Sequence, residues 1–407
     1  MMASPSAASL WQRPNLVRFL TVRVLMAFAA QMQDVAIGWH VYSQTGSAMS
    51  LGLVGLAQFL PLLLFVGLAG DLADRQDRRL ISVVCNIAQM VCSVALFVFA
   101  YLADFGIWPV YLCLLGLGSA RAFSAPAMSA ILPNLVDKTE FSRAVAVSSS
   151  AFQIATIIGP AAGGLLYALI GNATFLVSAA FFGGAALTVA ALPKIIAAAS
   201  EAHLTTMQRV FAGARYVFSN KIVLGALSLD LFAVLLGGVT ALLPIYAHDI
   251  LNVGPGGLGF LRGCPAIGAA MMGLCLAYIP LKRRVGALMF ICVAGYGVAT
   301  VTFALSTSLI LSAGAMIALG VFDMVSVVVR QTLVQIATPD AMRGRVTAIN
   351  FVFIGASNQL GEFESGFAAH FFGAVPAALL GGVGTLFIVA IWAWLFPQLR
   401  KADRFEG

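Results

Sequence analysis

Gly70-Asp71-Leu72-Ala73-Asp74-Arg75-Gln76-Asp77-Arg78-Arg79 carries six charges in ten residues and stands between two runs, 50–70 and 80–102, that carry none. Each flanking run supplies the roughly 20 apolar residues needed to cross a hydrocarbon core about 30 Å thick. The charged stretch therefore reads as a polar loop between two membrane spans. Composition supports this over a charged hairpin on a soluble protein. Of 407 residues 61% are apolar and 10% charged, against roughly 45–50% and about 25% in soluble domains. Folded surface shrinks too slowly with size for a water-soluble chain to hide that much apolar area.

Working outward, apolar stretches fall near 18–42, 50–70, 80–102, 107–131, 144–170 and 172–193, and again near 221–247, 257–280, 285–305, 309–336, 346–371 and 374–397. Gly and Pro recur inside them, at Pro61, Pro126, Gly159, Pro160, Pro244 and Pro265. Spans tolerate both because neighbouring helices satisfy the freed backbone groups. The expected fold is all-α: twelve transmembrane helices in two six-helix bundles, 1–193 and 221–407, joined by a cytoplasmic linker at 194–220. Within the linker, Met207 to Phe218 has helical apolar spacing and reads as a surface helix.

Lys and Arg set the orientation. With the N-terminus inside, the inner segments hold Arg13, the loop at 71–79, Lys138, Arg143, the linker, Lys282-Arg283-Arg284, Arg343, Arg345 and Arg400-Lys401-Arg404, and the outer loops hold no Lys or Arg. That asymmetry fits an even span count, both termini cytoplasmic, and an inner-membrane location. The net charge of +7 is thus a topology signal rather than a nucleic-acid footprint. The first apolar run is span-length and has no small-residue cleavage site, so it reads as retained. Six cysteines (Cys85, Cys92, Cys113, Cys264, Cys275, Cys292) all lie in spans, which suggests neither a disulfide framework nor a metal site.

The halves repeat. A shift of 204 places Tyr42 on Tyr246, Gly55 on Gly259 and Pro61 on Pro265; a shift of 202 places Arg143 on Arg345, Gly159 on Gly361 and Gly164 on Gly366. A parallel six-plus-six repeat is one of the patterns of secondary transporters, whose sites lie near the midplane.

The 70–79 stretch resembles the loop signature of the major facilitator superfamily, G-x-L-A-D-R-x-G-R-R, with Asp77 where that family usually has Gly. In the second half Pro280-Leu281-Lys282-Arg283-Arg284 keeps only the basic cluster. Gly159-Pro160-Ala161-Ala162-Gly163-Gly164 is similar to the G-P-x-x-G-G core of that superfamily's antiporter motif, with Ala155 in place of an earlier Gly. Trp39 to Tyr42, Gly46-Ser47-Ala48, Ala241 to Pro244, Met342 to Asn350 and Gly361-Glu362-Phe363-Glu364 resemble the branch containing the enterobactin exporter and related drug antiporters. Proton-driven efflux is what that resemblance implies. Physically, Asp71 and Asp74 beside Arg75, Arg78 and Arg79 could lock helix ends through ion pairs and dipoles, and Gly163 and Gly164 permit close helix contact.

Ionisable residues at membrane depth are costly and mark functional candidates. The chain has Arg23 and Asp34 in span 1, Arg121 in span 4, Asp230 in span 7, Arg262 in span 8, Asp323 and Arg330 in span 10, and Glu362 and Glu364 in span 11. The resemblance implies that spans 1, 4, 7 and 10 line the central cavity. A coupling residue must gain and lose a proton as its surroundings alternate, and low dielectric favours a neutral carboxyl. Asp34 and Asp323 are the favoured proton or substrate residues, with Asp230, Glu362, Arg121 and Arg330 as further candidates. Asp323 and Arg330 share a helix face two turns apart, too far for a direct pair. Gln31, Trp39, Gln58, Phe123, Asn350, Asn358 and Gln359 could complete a pocket for an amphipathic organic molecule.

The expected function is proton-coupled export of small organic molecules such as siderophores or drugs by a monomer, with a substrate and protons as its partners and no cofactor or metal. A metabolite or lipid importer or facilitator on the same scaffold is the alternative. No G-x-x-x-x-G-K-[ST] pattern occurs, so the energy must come from a gradient or from the substrate itself. His40, His203, His248 and His370 are scattered, with no H-E-x-x-H motif, which argues against an intramembrane enzyme. The retained span charges argue against a transport-dead receptor.

Overall fold

The computed structural model describes residues 12–102, 106–137, 140–195, 206–279 and 284–401. Lys138, Lys282, Arg283 and Arg404 lie outside the described residues. The same holds for the side chains of Asp74, Arg343 and Arg345 and of residues 206–212.

Among the described residues, twelve helices of sixteen residues or more follow one another. They are span 1 (Pro14–Thr45), span 2 (Ala48–Arg75), span 3 (Arg78–Tyr101), span 4 (Trp108–Ile131), span 5 (Phe141–Ile170), span 6 (Thr174–Ala190), span 7 (beginning Lys221–Leu236), span 8 (Gly254–Tyr278), span 9 (Val285–Leu305), span 10 (Leu309–Ala337), span 11 (Asp340–Phe372) and span 12 (Ala374–Leu395). Ten stretches are long and apolar enough to cross a membrane. One of them, Arg143–Ala190, holds spans 5 and 6, folded at Gly171, whose φ of 56° lies in the left-handed region. Span 11 is not among the ten, because Asn350, Asn358, Gln359, Glu362 and Glu364 dilute its apolarity.

Three expectations change. The charged stretch at 71–79 is mostly helix: span 2 runs on to Arg75 and span 3 restarts at Arg78, so only Gln76 and Asp77 are non-helical. Span 7 is interrupted after Leu236, continues as a tight turn at Val239–Leu242, and ends in a wide π turn at Tyr246–Ile250. The break is where Gly237 and Gly238 press on neighbours: a Cβ on Gly238 would lie 2.7 Å from the Gly361 carbonyl oxygen of span 11. The linker helix, Thr206–Ser219, is docked rather than free on one face. Val217 is fully buried with Val223, Leu227, Val334, Val346 and Ile349, and Tyr216 Oη donates to the Ala337 carbonyl.

The chain divides into two compact units. One comprises residues up to Ile37 and Leu60–His203, the other Gly38–Phe59 with Leu204–Gly407. In the first, span 3 packs against spans 4 and 6, and a core of Leu16, Phe19, Val22, Ile131, Ala144, Ala185 and Val189 closes one end. In the second, spans 7, 9 and 10 share a core of Leu229, Ala233, Met289, Val293, Val325 and Val329. The turn between spans 1 and 2 is part of this second unit.

Small residues set the closest approaches. A Cβ on Gly163 would stand 2.5 Å from Met32 Cα and one on Gly159 2.6 Å from Gln31 Cβ, so span 5 crosses span 1 nearly backbone to backbone. In the repeat, Gly361 meets the Leu235 and Val234 carbonyls of span 7. Because the neighbour at Gly163 is backbone, Gly163→Val is expected to cost about 1–3 kcal/mol from overpacking, seen as a lowered melting temperature in detergent. An unchanged melting temperature would remove Gly163 from this contact.

Candidate functional site

The first unit holds an open groove of about 280 Å³ between spans 1, 3, 4 and 5, lined by Arg23, Met26, Gln89, Arg121, Met128 and Phe152 among others. Arg121 Nη2 lies 3.0 Å from Asp34 Oδ1, a pair from span 4 to span 1 within one unit. Phe123 stacks near Phe65, with ring centroids 5.4 Å apart. Gln31 packs its aliphatic part against Gly159.

In the second unit Arg330 Nη1 pairs with Asp230 Oδ2, span 10 to span 7. Both side chains are under 10% exposed. Asp323 lies two turns away on the same helix and lines a small cavity of about 10 Å³, enough for one water, with Tyr296, Ser326 and Asp230. Among the described residues Asp323 has neither an ion pair nor a hydrogen bond. Of the acids proposed from sequence, two are therefore held by arginines and Asp323 is not.

Span 11 contributes a second polar seam. Glu362 lies against Gly55, where a Cβ would sit 3.1 Å from its Oε2, and the Gln359 carbonyl approaches the same glycine. The buried Oδ1 of Asn350 and Oε1 of Gln359 have no hydrogen-bond partner among the described residues. Asn358 is exposed and Gln58 half-buried. Gly366 meets Gly52 backbone to backbone. Sequence reasoning named Trp39 but missed the cluster it joins in this unit. Tyr42 donates to Asp249 Oδ2, His248 Nδ1 lies 2.6 Å from Asp249 Oδ1, and the His248 ring sits 5.3 Å from that of Trp39 and 5.6 Å from that of Tyr42. These residues are some two hundred apart in the chain, so no local sequence pattern joins them.

The signature stretch acts differently from the expected ion-pair lock. Asp71 pairs with Arg75 one turn along the same exposed helix at 2.9 Å, and such a pair contributes little in high dielectric. The bridging is done by the last two arginines. Arg78 Nη1 donates to the Ala130 carbonyl at the end of span 4 (3.0 Å), and Arg79 Nη1 to the Ala190 and Leu192 carbonyls at the end of span 6 (3.3 and 3.1 Å). Cations thus satisfy the unpaired carbonyls of two helix C-termini. Asp77, the departure from the signature, has φ −62° and needs no glycine: it is the N-cap of span 3, accepting from the Arg79 amide. On the same face Arg13 bridges Asp137 and Glu140 at 2.7 Å each, and these carboxylates raise its pKa. Asp77→Ala is expected to cost about 1 kcal/mol and Asp77→Gly only a few tenths, read from melting temperatures of the two variants. Equal losses would deny the cap.

Pro160 and Gly164 are buried within an unbroken span 5, and Gly70 lies within the continuous helix of span 2.

Comparison with known proteins gives a consistent likeness. The family model described as transmembrane secretion effector matches residues 13–406. The chain is 26% identical over 372 residues to the enterobactin exporter EntS of Escherichia coli, covering 91% of this chain and 84% of that protein. Among solved structures, the nucleoside transporter NupG superposes with a TM-score of 0.75 at 14% identity, covering 94% of this chain and 98% of its own. A bacterial homologue of the human lysosomal transporter Spinster, inward-facing and occupied, also gives 0.75, at 12% identity and 98% coverage of both. At such identities the structural likeness bears on fold alone.

Proposed function

The chain belongs to the transmembrane secretion effector family of major facilitator transporters, and from that premise we propose that it exports small amphipathic organic molecules across the inner membrane by proton antiport. It is a membrane transporter and not an enzyme. Export is favoured by the likeness to EntS, and both termini are assigned to the cytoplasm on the one-sided basic loops.

The observation that carries the coupling is the contrast among the span acids. Asp34 and Asp230 are each engaged by an arginine. Asp323 stands beside Tyr296 in a cavity with room for one water, where it can take up a proton without leaving a cation unpaired. Asp323 is the proton carrier in this scheme, and the Arg121 to Asp34 pair adjoins the substrate groove. Alternation exposes Asp323 to each side in turn, and substrate and proton occupy the transporter in alternate phases. Glu362, packed on Gly55 of span 2, belongs to helix contact rather than to coupling.

The test uses purified protein in proteoliposomes with an imposed pH difference, across a panel of siderophores, cationic dyes and metabolites. A substrate of the exporter accumulates in the acidic compartment. Movement down its own gradient that ignores the pH difference would identify a facilitator and sink the antiport assignment.

A further inference from the structure

Arg23 stands about two and a half turns inside span 1, beyond the reach of a side chain snorkelling to the helix end. Its guanidinium lies 5.3 Å above the Phe152 ring of span 5. Among the described residues it makes no ion pair and donates no hydrogen bond, so its donors are held by nothing except an aromatic face. Three neighbouring polar groups are already engaged: Gln89 Nε2 donates to the Cys85 carbonyl, Ser129 Oγ to the Ala125 carbonyl, and Arg121 pairs with Asp34. Two guanidiniums and no carboxylate line the groove, while Met26, Met128 and Phe152 give it apolar walls.

A cation left without an anion at membrane depth costs free energy unless a ligand supplies the charge. A guanidinium over an aromatic ring keeps its N–H donors for a ligand, and such donors can take a carboxylate or similar anion through two parallel hydrogen bonds. Methionine and phenylalanine walls accept flat apolar bodies of varied outline. We infer that this groove binds a small organic anion with an aromatic body, and that Arg23 reads its charge. The inference rests on the transport assignment above and narrows its substrate class from amphipathic molecules in general to anionic ones. Cationic dyes are excluded from the groove by Arg23 and Arg121.

The test is equilibrium dialysis on the full chain in phosphatidylcholine nanodiscs, with 2-naphthoate and its neutral counterpart 2-naphthamide as probes. Wild type is expected to bind the anion about ten- to a hundredfold more tightly, the value of one charged hydrogen-bonded contact. Arg23→Gln should remove that preference, and Arg23→Lys should restore part of it. Wild type alone keeps the inference falsifiable if the variants do not fold. No preference for the anion, including no binding of either probe, overturns it. So does displacement of naphthoate by phosphatidylglycerol in the nanodisc, which would make Arg23 a lipid-headgroup contact. Dialysis needs no gradient, so the two assignments fail separately. Charge preference without pH-driven transport sinks the antiport scheme, and pH-driven transport without charge preference sinks this inference.

Discussion

Arg330→Met is expected to destabilise the chain by about 3–5 kcal/mol, because it strands the Asp230 carboxylate in a buried site with room for no more than one water. The partners are under 10% exposed on both sides, so neither can be rehydrated without opening spans 7 and 10. Asp230→Asn should cost a similar amount for the mirror reason: Arg330 Nε is already buried without a partner, and the loss of its one carboxylate leaves the guanidinium uncompensated. Asp230→Asn combined with Arg330→Met should recover most of the loss, since replacing both members of a buried pair is often near neutral. Thermal unfolding of the three variants in one detergent measures the cycle. Simple additivity would show that the two charges do not depend on each other. Transport by the double variant then separates the roles: a stable and active protein makes the pair a structural brace, whereas a stable and inactive one makes Asp230 part of the transport cycle.

The position of that pair shows what sequence could and could not deliver. Span limits were legible because membrane chains write them in composition, and the run at 285–305 coincides with the helix Val285–Leu305. Hydropathy reports depth but not rotation about the helix axis. Arg330 was weighed against Asp323 on its own helix, and Asp230 on span 7 was left without a partner. Depth alone could have matched them: at 1.5 Å per residue Asp230 lies about 14 Å from the start of span 7 and Arg330 about 10 Å from the end of span 10. The break at Gly237 and Gly238 was illegible for a different reason. Glycine is ordinary in membrane helices, so its presence carried no signal until the Gly361 carbonyl was seen pressing on it. Asp77 was noted only as a departure from a signature, whereas a short acid ahead of a helix is a cap. Arg23 was legible as a charge within span 1 but had no assigned role, and only Phe152 beneath it, on a helix more than a hundred residues later, gives it one.

Asp323→Asn is expected to uncouple transport from the proton gradient. Exchange of one proton per neutral substrate lets a pH difference of one unit hold about a tenfold substrate gradient, since a unit corresponds to about 1.4 kcal/mol. In the variant the amide cannot take up the proton, so the steady-state ratio should fall from about tenfold to about one. Exchange of labelled for unlabelled substrate should survive, because the groove residues lie in the other unit and are untouched. An organic anion would carry its own charge, so the ratio is best read with the membrane potential clamped by potassium and valinomycin. Asp34→Asn provides the contrast. It removes the carboxylate that Arg121 pairs with beside the groove, so it should alter substrate affinity while leaving the pH dependence of what transport remains. A tenfold gradient retained by Asp323→Asn would overturn the assignment of the carrier. If Asp34→Asn alone abolished it, the proton path would run through the first unit, with Arg121 releasing its partner once per cycle.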